Sequence, residues 1–320
     1  MKLRHLLIPL LALNFMSCEK EPEPEPPQDP VDNTSPINMA FTQVGMPGFL
    51  GFKDIVFTAS GRAAALASDN SIHLATDSSY QFTETYSLNH TARCIAMNPN
   101  DGRIFVGGIS QGYQFGGRFT ILDSESMNQI TTGELKTNNT DLPIKYDFNQ
   151  AYWNAGGGIY LTMGNNNTRR SGAIAIMTNP GTSNRATLYN NSLSPKEFYA
   201  SGFVMMNNGA EVFVGMTEDI DPLNPTLDNI YTNADKFFGQ WFRVSEGYAI
   251  GYPYTIGRNP LNNQNVWMFN AQRLYVNGKR QIIHNGLPAN NWNSAKVDVQ
   301  GRVWVCTDQG LYRSNTKLPE

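Results

Sequence analysis

Beyond residue 36, the densest run of ionisable groups is Glu218-Asp219-Ile220-Asp221, inside TEDIDPLNPTLDN (217–229). Paired carboxylates are what a glycosidase needs, one as acid and the other as nucleophile or base. The run lacks the central Gly and closing Glu of an EF-hand, and its Asn/Pro-rich setting also suits a solvated or cation-binding turn. His73, His90 and His284 are not spaced as metal ligands, and none stands near a Cys pair. Gly108-Ile109-Ser110-Gln111-Gly112 spells Gly-x-Ser-x-Gly but runs between two β-rich segments rather than from a strand into a helix, so it is not a nucleophile elbow; no Gly-rich phosphate loop opens a helix, and no Ser-x-Asp-x-Gly-x-Thr-Trp box is present. The expectation is a protein without a catalytic centre, metal or cofactor.

A second group of residues suits recognition. Tyr113, Phe115, Phe238, Trp241 and Trp292 lie in segments expected to be exposed. Asn165, Asn166, Arg169 and Arg170 offer amide and guanidinium donors, while Glu218, Asp219 and Asp221 offer acceptors. Flat apolar rings beside amides suit a sugar, with its C–H faces and hydroxyl edges, or another planar polar ligand. The candidate ligand-binding set is Tyr113, Phe115, Asn166, Arg169, Arg170, Asp219, Trp241 and Trp292. For Phe238, Trp241 and Trp292 the competing expectation is packing between neighbouring sheets.

The elements that would position these residues announce themselves as a repeat. A turn, often carrying Gly, precedes a short β-rich strand and then a second one. It occurs as Gly61-Arg62 before AAALASD, Gly102-Arg103 before IFVGGIS, Gly157-Gly158 before IYLTMG, Gly209-Ala210 before EVFVGM and Gly301-Arg302 before VWVCTDQGLYR. A divergent copy, Asn263-Gln264 before NVWMFNAQRLYV, fills the remaining gap. Self-similar strand units of this length predict an all-β β-propeller. Six blades give about 46 residues each and seven about 40, both near the usual repeat length; six is the reading taken.

Four antiparallel strands per blade account for the pattern. Blade 1 reads KDIVFTA, AAALASD, SIHLATD and QFTETYSL; blade 2 reads ARCIAMN, RIFVGGIS, RFTILDS and NQITTGE. Blades 3, 4 and 5 cover about 146–190, 198–236 and 246–286. The last blade supplies AKVDVQ, RVWVCTD and GLYRSN, one strand short, and the upstream segment Asn38–Val44 is spare and strand-like. Using it as the outer strand of the last blade would close the ring without a free edge. The b–c loops 110–117, 164–172 and 217–229 are long, as are the d–a connections NNTDLPIKY, KFFGQWFRVSEGY and GLPANNW, so the face they share is the expected ligand face.

Ahead of this domain (37–320) stand two short segments. Residues 1–18 combine basic Lys2 and Arg4 with an apolar run, Leu6 to Leu13, too short to span a bilayer. Residues 19–36 alternate Pro and Glu, which favours an extended stalk reaching on the order of 50 Å at about 3.1 Å per residue. Charged residues make up 16% of the chain with a net charge of −3, which argues against nucleic acid. Cys94 and Cys306 fall in strands of blades separated by a third, too far apart to pair.

Two resemblances add to this. Phe15-Met16-Ser17-Cys18 resembles a bacterial lipobox, with Phe15 and Met16 in place of the usual Leu and small residue, and implies lipidation at Cys18. The following Glu19-Lys20-Glu21 resembles the export signal of Bacteroidota surface lipoproteins, implying an outer-membrane, surface-exposed anchor; a plain secretory signal and an acidic linker are the alternatives. Asp298-Val299-Gln300-Gly301-Arg302-Val303-Trp304-Val305-Cys306-Thr307-Asp308-Gln309-Gly310-Leu311-Tyr312-Arg313 looks like the repeat of two-component-regulator sensor propellers, with Cys306 replacing a small Gly. The layout is also similar to lipidated propellers that capture nutrients at the cell surface. The first expectation is therefore capture of a glycan or other small polar nutrient, beside an outer-membrane transporter. The second is a protein–protein scaffold in the envelope. A carboxylate-dependent glycoside hydrolase using Asp219 or Asp221 is the third.

Overall fold

AAALA at 63–67 is buried at every position, with no polar alternate residue, because both faces of its sheet are covered. The computed structural model describes residues 35–319 apart from 46–50, 59, 76, 78, 110–116, 124, 139–141, 145, 165–171, 189–197, 207–210, 219–226, 234–241, 245–252, 263 and 270–271; for 172, 198–206, 211–218, 227–233, 242–244 and 253–254 it describes the backbone alone. Every regular element among these residues is a strand, and Thr34–Glu320 form one unit.

Strand β1 (Ile37–Gln43) comes first. Blade 1 is β2 (Phe52–Phe57), β3 (Ala63–Ala67), β4 (Ser71–Ala75) and β5 (Phe82–Ser87). Blade 2 is β6 (Thr91–Met97), β7 (Ile104–Ile109), β8 (Arg118–Leu122) and β9 (Gln129–Glu134). Blade 3 is β11 (Asp147–Trp153), β12 (Ile159–Gly164), β13 (Gly172–Met177) and β14 (Arg185–Leu188), extended at its rim by the two-residue β10 (Lys136–Thr137), which pairs parallel to β14. Blade 4 is β15 (Phe198–Met206), β16 (Glu211–Glu218), β17 (Leu227–Asn233) and β18 (Phe242–Val244). Blade 5 is β19 (Pro253–Arg258), β20 (Asn265–Phe269), β21 (Arg273–Val276) and β22 (Arg280–Asn285). Blade 6 is β23 (Trp292–Val297), β24 (Arg302–Thr307), β25 (Gly310–Lys317) and β1.

The innermost strands pack in a closed cycle, β2 on β6, β6 on β11, β11 on β15, β15 on β19, β19 on β23 and β23 back on β2, which makes a ring of six blades. The expected closure is present. Phe41, Thr42 and Gln43 pair antiparallel with Ser314, Arg313 and Tyr312, so the N-terminal strand is the outer strand of blade 6. Its first half does a second job, pairing Ile37–Ala40 parallel with Ile282–Asn285 of blade 5. Ile37, Met39 and Phe41 bury their side chains at this seam, so the closure is held by apolar burial as well as by backbone bonds.

The repeated Gly phrase has a physical basis. Five of the six inner strands end on a residue whose side chain caps the following turn, the turn after β15 lying outside the described residues: Thr58, Asn98, Asn154, Asn259 and Asp298 accept from the backbone N–H of Arg62, Asn100, Gly158, Leu261 and Gln300. Their own N–H groups donate to Arg62, Arg103, Gly158, Gln264 and Arg302 carbonyls, closing the hairpin. In four of the five turns a glycine takes the left-handed conformation, Gly61, Gly102, Gly157 and Gly301 at φ between 74° and 88°.

A second repeated device lies one strand-length away. Every inner strand carries a bulge near its start, between Phe52/Asp54, Ala92/Cys94, Phe148/Gln150, Ala200/Phe203, Pro253/Thr255 and Trp292/Ser294. The bulged residue reaches sideways. Lys53 Nζ donates to the Ala92 carbonyl of the next blade at 2.8 Å, and Asn293 Nδ2 makes the equivalent bond to Phe52 at 2.8 Å. Both also bond the b–c turn of their own blade, at Asn70 Oδ1 and Asp308 Oδ1.

The blade limits need one correction. The d–a connection expected over KFFGQWFRVSEGY contains strand β18; the first described strand of blade 5 is β19 from Pro253, and the expected start near 246 lies outside the described residues. Three residues, Phe242–Val244, are too short a run to show alternation, so the sequence reads as loop.

Candidate axial binding site

The bulges fix a common register, so residues of different blades fall into layers around the axis. Aligned on the bulge, Val56, Ala96, Tyr152, Gly257 and Lys296 occupy one layer, and Phe57, Met97, Trp153, Arg258 and Val297 the next. Beyond them come the turn-capping residues. Together these strand ends line a cavity of about 380 Å³ that opens at the a–b turns. Its walls include Ile55, Val56, Phe57, Met97, Ala151, Trp153, Ile256 and Val297, with Pro99, Pro260 and Val299 at the rim. Five blades contribute described side chains to it. The volume is at the lower end of the range of small-molecule pockets.

Polar groups enter this apolar wall at few points. Gln150 spans the axis, its Nε2 donating 3.0 Å to the Ile256 carbonyl two blades away. Lys296 forms a 3.8 Å ion pair with the buried Asp54. Asp54 is held in turn by the N–H of Ile55 at 3.0 Å and of Ile95 at 3.3 Å, so one carboxylate ties blades 6, 1 and 2. Thr255 of blade 5 accepts from the Ala295 N–H of blade 6 at 3.0 Å. Gly257 has the Ala295 carbonyl and Lys296 Cα beside it, where a Cβ would be 2.6 Å and 2.7 Å away; the missing side chain lets blade 6 approach and leaves the wall open. Arg258, at the end of β19, is half-buried and makes no hydrogen bond or ion pair among the described residues.

The fold has known counterparts. The structure is similar to the β-propeller domain of Cps50 (Swd1) from Myceliophteria thermophila, at 9% identity and a TM-score of 0.56, covering 87% of this chain and 100% of that one. It is also similar to the WD40 repeats of RRP9 (8% identity, TM-score 0.53, 86% of this chain and 96% of that one) and to U3-55K (8%, 0.53, 86% and 98%). The chain has a β-propeller fold. No family model matches the sequence, and no curated protein does.

On this propeller the residues expected to bind ligand divide sharply. Tyr113, Phe115, Asn166, Arg169, Arg170, Asp219 and Trp241 lie outside the described residues, as do Phe238, Asp221 and the lipidation site Cys18. Trp292 is described, and its expected exposure is corrected: it opens β23 and is 1% exposed. Its Nε1 donates to the Pro288 carbonyl at 2.8 Å, and its ring meets His284 edge-on at 4.9 Å. Phe52 and Phe148 fill the equivalent first bulge site in blades 1 and 3, and both are buried.

His73 is a strand residue, as expected, with Ser71 Oγ at 3.0 Å and Thr85 Oγ1 at 3.3 Å from its ring nitrogens. Cys94 and Cys306 are free and buried, and burial pushes both thiols well above their ordinary pKa. No cluster of metal-ligating side chains occurs among the described residues.

The axial cations were missed in the sequence. A repeat alignment carries the signal: Arg258 stands where the other described blades have Phe57, Met97, Trp153 and Val297, and Lys296 where they have Val56, Ala96, Tyr152 and Gly257. The cavity lies at the a–b turns, at the ends of the inner strands opposite their bulges.

Proposed function

We propose that this chain is a non-catalytic binding protein that takes a small ligand at the axial cavity of its propeller. The observation that carries the reading is the convergence of inner-strand ends from five blades on one largely apolar cavity with a few polar groups aimed into it. The lipobox-like start and Pro/Glu stalk fit a tether that holds the propeller off an outer membrane, the geometry of a surface capture lipoprotein working beside a transporter. The protein-scaffold alternative has the fold behind it, through the likeness to WD40 propellers.

The test is calorimetric titration of the full chain with a panel of glycans, cobalamins and small organic acids, repeated with Val299→Trp. Val299 is a half-buried residue at the cavity rim, so an indole there narrows the entrance without entering the core. A micromolar ligand lost in this variant, with thermal stability unchanged, supports capture at the axis. A ligand whose affinity ignores Val299→Trp places the site elsewhere.

A further inference from the structure

The charge and polarity of the cavity say what it holds. We infer that its ligand is an apolar carboxylic acid, with the carboxylate lodged between Arg258 and Lys296 and the hydrocarbon body against the half-buried Val56, Phe57 and Val299; this rests on the axial binding reading above. Two cations reach the cavity, and one carboxylate, Asp54, stands behind it. Asp54 is already engaged by two backbone N–H groups, and its contact with Lys296 is 3.8 Å, beyond hydrogen-bond length. Lys296 therefore keeps its ammonium donors for a second anion, and its side chain is only 12% exposed, so little water competes. Arg258 has no partner among the described residues, although a guanidinium is built for fork-like contact with a carboxylate. A half-buried arginine facing an apolar cavity without a counter-ion is a site that an anion completes.

The neutral-sugar alternative is poorly served here. The amide of Gln150 is already donating to Ile256, and the Thr58 hydroxyl already accepts from Arg62 and bonds Ser60. A sugar brings many hydroxyls that must each be paired, whereas a hydrocarbon chain loses water at no such cost. Trp153 presents little open ring: it is 2% exposed, with the Arg103 guanidinium 5.3 Å from its centroid.

The experiment uses the full chain and three probes: 4-phenylbutyrate, its uncharged amide 4-phenylbutyramide, and glucuronate. Binding is read by ligand-observed NMR and calorimetry on wild type, Arg258→Met and Val299→Trp, with thermal unfolding as the control for fold. Phenylbutyrate binding about tenfold or more tighter than the amide, with Arg258→Met abolishing that difference and leaving the amide unchanged, is the expected result. Equal binding of acid and amide, both lost in Val299→Trp, overturns the acid inference and leaves the axial site standing. Glucuronate outcompeting phenylbutyrate overturns the apolar part. Absence of binding by all three probes overturns both the inference and the axial site.

Discussion

Asp298 is the most heavily bonded side chain in blade 6, and replacing it tests how the blade repeat works. Its carboxylate is fully buried. Oδ1 accepts from the Gln300 and Arg302 N–H groups at 2.8 Å and 3.0 Å, capping the turn. Oδ2 accepts from Trp304 Nε1 at 2.9 Å and from Arg313 Nε and Nη2 at 3.0 Å and 2.6 Å. Arg313 in turn stacks over Tyr80 at 4.7 Å and Trp304 at 5.3 Å, so the network crosses from blade 6 to blade 1. Asn serves as the cap in blades 2, 3 and 5, so Asp298→Asn retains the turn and removes the rest. It takes away the charge opposite Arg313 and turns an N–H toward other donors. Breaking a buried pair from one side costs about 3–5 kcal/mol, and Arg313 keeps its bond to Gln300 Oε1, which lowers the expected loss to about 2–4 kcal/mol. Asn154→Ala removes a turn cap and a 3.2 Å bond to the Tyr160 hydroxyl, with no buried charge involved, and is expected to cost about 1–2 kcal/mol. At roughly 2 °C per kcal/mol for a domain of this size, Asp298→Asn should lower Tm by about 4–8 °C. The assay is urea and thermal unfolding followed by tryptophan fluorescence, with an Asp298→Asn/Arg313→Met cycle to isolate the pair. If Asp298→Asn costs no more than Asn154→Ala, or the cycle shows coupling below about 0.5 kcal/mol, the network reasoning fails.

Other outcomes follow from the same geometry. Burial, with Arg118 nearby, lowers the pKa of the His90 imidazole to about 4. The unfolded chain therefore binds more protons between pH 6.5 and 4, and stability present at pH 7 is lost as pH falls through that window. The unfolding free energy from urea titrations should drop between pH 7 and pH 5 by about 1 kcal/mol after solvent screening, and His90→Gln should flatten the change. Gly286 takes φ +92° where a Cβ would strike the Phe41 carbonyl of the closing strand, so Gly286→Ala should destabilise by more than about 2 kcal/mol in urea. Cys94 and Cys306 should ignore a thiol reagent in the folded protein and react fully in guanidinium, because burial holds both as thiols.

The fold was legible where information is local. Turn caps and the glycines that follow them recur in sequence, and the strands of blades 1 and 2 fall within about a residue or two of their expected limits. The closing strand was found by counting, since blade 6 lacked one and Asn38–Val44 was spare. What escaped was long-range. β18 and β10 owe their pairing to β17 and β14 rather than to any pattern of their own. Trp292 sits after an Asn-rich loop that reads as exposed, yet the bulge register turns its ring inward against His284. Lys296 and Arg258 are ordinary strand-end cations in sequence; only the closed ring brings them to one cavity.

The most direct measurement is one titration in three proteins. The tightest small ligand of the panel is titrated calorimetrically into wild type, Val299→Trp and Tyr113→Ala, the last between β7 and β8 in the b–c connection of blade 2. The axial account predicts that Val299→Trp abolishes binding while Tyr113→Ala leaves it unchanged. Loss in Tyr113→Ala with Val299→Trp intact would contradict it and return the site to the b–c connections.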